Sequence, residues 1–134
     1  MVEFYQAYAT YVDLMNLTED LFRTIAQEIF GSETLNYQGS TYDFSKPFRR
    51  LSVLEAIQNF CGVSQEQLST KEAARDVAKS LDVTLDERWE VGKIVMEIFE
   101  QRVEDRLDEP TFITEYPIEV SPLARRNELM PEVT

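Results

Sequence analysis

Residues Trp89–Pro117 read WEVGKIVMEIFEQRVEDRLDEPTFITEYP, and two different periodicities meet inside them. Val91, Ile94, Val95, Ile98, Phe99, Val103 and Leu107 recur at intervals of three and four, which places them on one face of a helix predicted to run from about Trp89 to Leu107. Pro110 cannot continue that helix, because it lacks an N–H and clashes with the preceding turn. The β-branched and aromatic run Thr111–Tyr116 that follows is cut in turn by Pro117, so a short strand is expected there. A long amphipathic helix feeding straight into a strand sets an α+β class.

Working backward from this stretch, Thr70–Leu81 reads as a polar helix whose inner face is Ala73, Ala74, Val77, Ala78 and Leu81. Ser52-Val53-Leu54-Glu55 has the spacing of a capping box and opens a short helix through Phe60 that Gly62 closes. Thr34–Tyr37 and Thr41–Phe44 flank Gln38-Gly39-Ser40, the pattern of a small hairpin. From Tyr11 to Phe30, Leu14, Leu17, Leu21, Ile25 and Ile29 form a second strong helical stripe, with Thr10 or Asp13 as its cap and Gly31 just past its end. Val2–Tyr8 alternates as a strand does. The segment Ser121–Thr134 contains Pro122 and Pro131 and has no periodicity, so it reads as chain leaving the folded unit.

The chain has 134 residues, a formal charge of −12 and 43% hydrophobic residues, with only four Gly and five Pro. That composition belongs to one globular domain with a real core, and at this length folding buries roughly two-thirds of the surface of the unfolded chain. The absence of His excludes Ser-His-Asp and Cys-His centres and imidazole-ligated zinc. A single cysteine, Cys61, excludes an internal disulfide and a CxxC pair and points to a reducing, cytoplasmic setting. No basic leader and no membrane-length apolar run occurs, so no membrane partner is expected. Net negative charge opposes a general nucleic-acid surface; Arg49-Arg50 and Arg125-Arg126 are the only adjacent basic pairs and read as surface charges or ion-pair partners.

Neither GxGxxG nor GxxxxGK[ST] is present, so no phosphate cradle of those types is expected. Glu100, Glu104 and Asp108 share a helical edge on this reading, a weak cation site at best and otherwise a solvated face of mutually repelling carboxylates. Glu3 and Tyr5 stand out because strand spacing of two aims both at one face. A carboxylate beside a phenolic hydroxyl suits a cationic amine; a satisfied sheet face is the plainer alternative.

Taken together, Met1–Tyr8, Phe44–Phe48, Trp89–Val95, Pro110–Pro117 and Val120–Asn127 resemble, in order and over essentially the whole chain, the class II lysyl-tRNA synthetase family. The last stretch, from Pro110–Pro117 through Val120–Asn127, is the most specific. The resemblance implies a single partial domain over 1–134, lying between motif 2 and motif 3 of the catalytic domain. In it, 1–10 is a strand of the catalytic antiparallel sheet, 11–109 a mainly helical insertion region with the small hairpin, and 110–134 the return strand and a tail towards motif 3.

It further implies that Glu3 and Tyr5 line the lysine pocket, Tyr5 reaching the ε-ammonium. The activity implied is ATP-dependent formation of lysyl-adenylate followed by transfer to tRNA(Lys), by a cytoplasmic homodimer using ATP and magnesium. The ATP-directed arginines and magnesium-binding glutamates of the family fall outside 1–134. The chain is therefore assigned no catalytic residue and no metal ligand, and is expected to be inactive alone.

Two other readings stand beside this one. A synthetase-like paralogue that lysylates a protein, such as the family modifying elongation factor P, resembles the tRNA enzyme along the active-site strand. It lacks a long insertion and the wording from Glu115-Tyr116-Pro117 to Arg125-Arg126-Asn127. A non-catalytic acidic helical module that docks a partner through apolar stripes is the other.

Overall fold

The structure, a computed structural model, describes residues 3–134. The chain divides into two compact units, Met1–Arg49 and Arg50–Thr134. It is α+β, with two sheets of two strands each.

In the first unit α1 spans Tyr11–Phe30, and both candidate capping residues take part in starting it. The Thr10 side chain accepts from the Asp13 backbone N–H, and the Asp13 carboxylate accepts from the Thr10 N–H at 2.7 Å, so two donors of the open first turn are satisfied reciprocally. That bond is the main reason the Asp13 carboxyl sits below its ordinary pKa. Gly31 ends the helix at φ 68°, a left-handed position where a side chain would be strained.

The hairpin follows, with β1 at Thr34–Tyr37 and β2 at Ser40–Asp43, paired antiparallel from Thr34↔Asp43 to Tyr37↔Ser40. Its two turn residues, Gln38 and Gly39, both have positive φ, which matches the right-handed twist of the strands they join. Phe22 of α1 stacks on Phe44 at 5.6 Å and meets Phe48 at 6.1 Å, while Arg23 donates to the Phe44 carbonyl at 2.8 Å. Arg23 also pairs with Glu19, a carboxylate only 6% exposed, which explains how a charge is tolerated there. The apolar stripe expected to face inward on α1 is largely uncovered: Leu17, Leu21, Ile25 and Ile29 are all exposed, as is Phe22 beside them, while the neighbouring Ala26 is buried.

The second unit holds the main core. Following β3 (Arg49–Ser52), α2 runs Val53–Cys61 with the Ser52/Glu55 capping box formed and Gly62 left-handed at its end. A short 3-10 turn at Gln65–Leu68 leads to α3, Lys71–Ser80, capped by Thr70. The long helix, α4, occupies Val91–Arg102. It is shorter than its apolar stripe, because Val103 leaves helical geometry at φ −122° while keeping its side chain in the core, and a 3-10 turn at Glu104–Arg106 follows. Val53, Ile57, Ile94, Ile98 and Val103 are the largest fully buried side chains and lock α2, α3 and α4 together.

Three expectations about the ends are corrected. Residues 3–10 form no strand, only a turn at Ala7–Tyr8 with Tyr8 at φ 58°; Val2 lies outside the described residues. The return strand, β4 at Thr111–Thr114, pairs instead with β3, a strand whose two leading arginines disguise it in the sequence. A strand needs a hydrogen-bonded neighbour, and Arg49–Ser52 supplies it here. The tail folds back: Ile118 N–H donates to the Glu132 carbonyl and Thr134 N–H to the Tyr116 carbonyl, each at 2.9 Å, around a Pro117↔Val133 bridge.

Candidate functional site

Glu3 and Tyr5 lie ahead of α1 in the irregular run 3–6, both exposed, Tyr5 at 94%. The strand whose spacing would aim them at one face is not formed in this structure.

Other sequence features resolve more sharply. The edge Glu100, Glu104, Asp108 does not exist as a helical row, because α4 ends at Arg102. Among the described residues no group of three or more Cys, Asp and Glu is arranged to hold a metal ion. Glu100 and Glu104 instead add to burial, the larger effect, in holding the Tyr116 hydroxyl above its usual pKa. Arg125 pairs with Glu128, and Arg50 lies 6.0 Å from the centre of the Phe112 ring, so both of these arginines have internal partners. Cys61 is half-buried, and burial pushes its thiol pKa up, the behaviour of a filler more than of a nucleophile.

Several arginines that carry no motif act as staples across the second unit. Arg75 donates to the Asp86 and Glu87 carbonyls, Arg102 to the Asp82 carbonyl at 2.6 Å, and Arg106 to the Phe60 carbonyl at 2.7 Å while lying over the Phe60 ring. A groove of about 510 Å³ opens between α2, the 3-10 turn, the start of α4 and the folded-back tail. Its floor is Val53, Leu68 and Val95, and Glu66, Glu115 and Glu132 stand along it. Glu115 holds φ 57°, a costly backbone position for a residue with a Cβ, at the point where β4 gives way to the tail. None of these features was flagged by the sequence, since each depends on contacts between distant residues.

A family model described as tRNA synthetases class II (D, K and N) matches residues 1–133. The chain belongs to this family. Within it, the class II synthetase chain is 54% identical over 135 residues to the lysine–tRNA ligase of Thioalkalivibrio sulfidiphilus, an alignment that covers 100% of the chain and 27% of that relative. It is 54% identical over 140 residues to the lysine–tRNA ligase of Teredinibacter turnerae, covering 100% of the chain and 28% of the relative. To the heat-inducible lysine–tRNA ligase of Escherichia coli it is 48% identical over 135 residues, again with 100% and 27% covered. The chain thus spans about a quarter of the length of these relatives. No helix among the described residues is long and apolar enough to cross a membrane.

Proposed function

We propose that this class II synthetase chain is a segment of the catalytic domain of a lysine–tRNA ligase, lying between motif 2 and motif 3. The observation that carries the proposal is identity of 48–54% over all of the chain to proteins bearing that name. In the longer polypeptide the lysine carboxylate attacks the α-phosphorus of ATP, pyrophosphate leaves, and lysine then passes from the adenylate to the 3′ end of tRNA(Lys). A cytoplasmic homodimer using ATP and magnesium is the form in which we place it.

The part proposed for this chain is recognition. Tyr5 hydrogen-bonds the ε-ammonium of lysine, and Glu3 contributes counter-charge to the same pocket. Desolvating an ammonium is costly unless its protons find acceptors, so a site that supplies them rejects uncharged analogues by a large factor. The isolated chain lacks the groups that orient ATP, and positioning together with electrostatic stabilisation carries most of such a reaction. It is therefore inactive by itself.

The test is the native polypeptide that contains these residues, purified from the source cell. A species several times larger than 15.6 kDa that charges tRNA(Lys) with lysine supports the proposal. A native product of 15.6 kDa without charging activity overturns it and leaves the interaction module.

A further inference from the structure

Each of the first three helices carries its own cap, on Thr10, Ser52 and Thr70, whose side chains accept from a backbone N–H of the first turn. The fourth does not. Glu90 stands at the N-cap of α4 with no side-chain bond to the helix, its carboxylate pairing with Lys71 at 2.6 Å instead, and the first turn of that helix contains no acidic residue. A helix start without an acceptor leaves donors open and a positive dipole end uncompensated. The acceptor comes from a residue distant in sequence: the Lys93 backbone N–H, at the position a local cap would serve, donates to Glu119 Oε2 at 3.2 Å.

Space for that carboxylate exists because residue 92 is glycine. A Cβ built there would fall 2.9 Å from the Glu119 carboxyl and 2.8 Å from Pro117 Cβ, closer than packed carbons approach. Gly92 is helical, with no positive φ to explain it, and glycine inside a helix costs about 1 kcal/mol relative to alanine. The close approach of the tail accounts for it. Pro117 and Glu119 both lie in the turn Pro117–Val120, and Tyr116 and Ile118 make the backbone bonds that fold the tail back.

We infer that Glu119 is a positioning residue, which docks the end of β4 and the tail on α4 by capping that helix through the gap at Gly92. The docking stands on the contacts above; its consequence, that the tail is held in register for lysine activation, rests on the proposed function.

Amide hydrogen exchange on the native polypeptide that contains these residues tests the docking. Glu119→Ala and Gly92→Ala each speed exchange at Ile118, Val133 and Thr134 by about fivefold, the equivalent of one lost cap, while Ile98 and Phe99 amides inside α4 hold their rates. Glu119→Gln, which keeps an acceptor oxygen, restores most of the protection. Because the two residues act through one contact, the double variant exchanges no faster than Gly92→Ala alone.

Unchanged tail protection in Glu119→Ala, or multiplied effects in the double variant, overturns the inference. In the native polypeptide Glu119→Ala lowers kcat for lysine-dependent pyrophosphate exchange and leaves KM for lysine nearly constant. A loosened tail with unaltered kcat would refute the positioning role. Absence of any exchange in the unsubstituted polypeptide would instead refute the proposed function and leave the amide result to decide the docking.

Discussion

Ile98→Ala is the perturbation whose size the structure fixes best. Ile98 is 0% exposed in the core formed by α2, α3 and α4, and the substitution deletes its branched carbons beyond Cβ. At about 0.8 kcal/mol per buried methylene the lost transfer energy is about 2.4 kcal/mol. Incomplete collapse around the void raises the loss to about 3–4 kcal/mol. A unit the size of Arg50–Thr134 is worth roughly 4–13 kcal/mol in all, so this single change removes a large share of its stability. Trp89, the only tryptophan, packs partly buried against the same core, and its fluorescence reports the unfolding of that unit directly. With a urea slope of about 1 kcal/mol per M, the midpoint falls by about 3 M. Leu123→Ala, at a side chain 100% exposed in the same unit, serves as control and shifts stability by no more than about 0.5 kcal/mol. A loss below about 1 kcal/mol for Ile98→Ala would refute the packing argument.

Ser52→Ala removes the α2 cap at a position 5% exposed and costs about 1–2 kcal/mol in the same urea titration, with the slope unchanged. Glu97 is held below its ordinary pKa first by its bond to Lys93, so its contribution is present above the unfolded carboxylate pKa and is lost as pH falls through the folded one. Glu97→Gln accordingly shrinks the loss of stability between neutral pH and pH below the folded value, measured by thermal melts across that range. In the native polypeptide, Tyr5→Phe and Glu3→Gln raise KM for lysine by at least tenfold with a smaller change in kcat, read by pyrophosphate exchange; an unchanged KM removes them from the lysine pocket.

Local signals carried most of the helical fold. The capping box at Ser52/Glu55, the Gly62 and Gly31 stops and the stripes on α1 and α4 each involve residues a few positions apart, and the helices start or end close to where those signals lie. The hairpin was legible because a short loop with glycine admits few conformations, although Ser40, read as part of the loop, begins β2 and leaves only Gln38 and Gly39 in the turn. What escaped is non-local. Arg49-Arg50 hides β3, whose existence depends on pairing with β4 some sixty residues away. The folded-back tail and the Glu119 cap likewise depend on distant partners, the cap across 26 residues. The one local trace was negative: a glycine at the second position of a helix with no capping side chain before it. Alternation at Val2–Tyr8 suggested a strand, but alternation supplies no neighbour to pair with. The significance of Glu3 and Tyr5 came from the resemblance to lysyl-tRNA synthetases and from nothing that spacing alone could distinguish from an ordinary sheet face.

The family model that matches this chain covers enzymes for aspartate, lysine and asparagine. The most direct measurement is therefore amino-acid-dependent exchange of pyrophosphate into ATP by the purified native polypeptide, run with each of those three amino acids. The account predicts exchange with lysine and none above background with aspartate or asparagine. Exchange driven by aspartate or asparagine, or by none of the three, would contradict it.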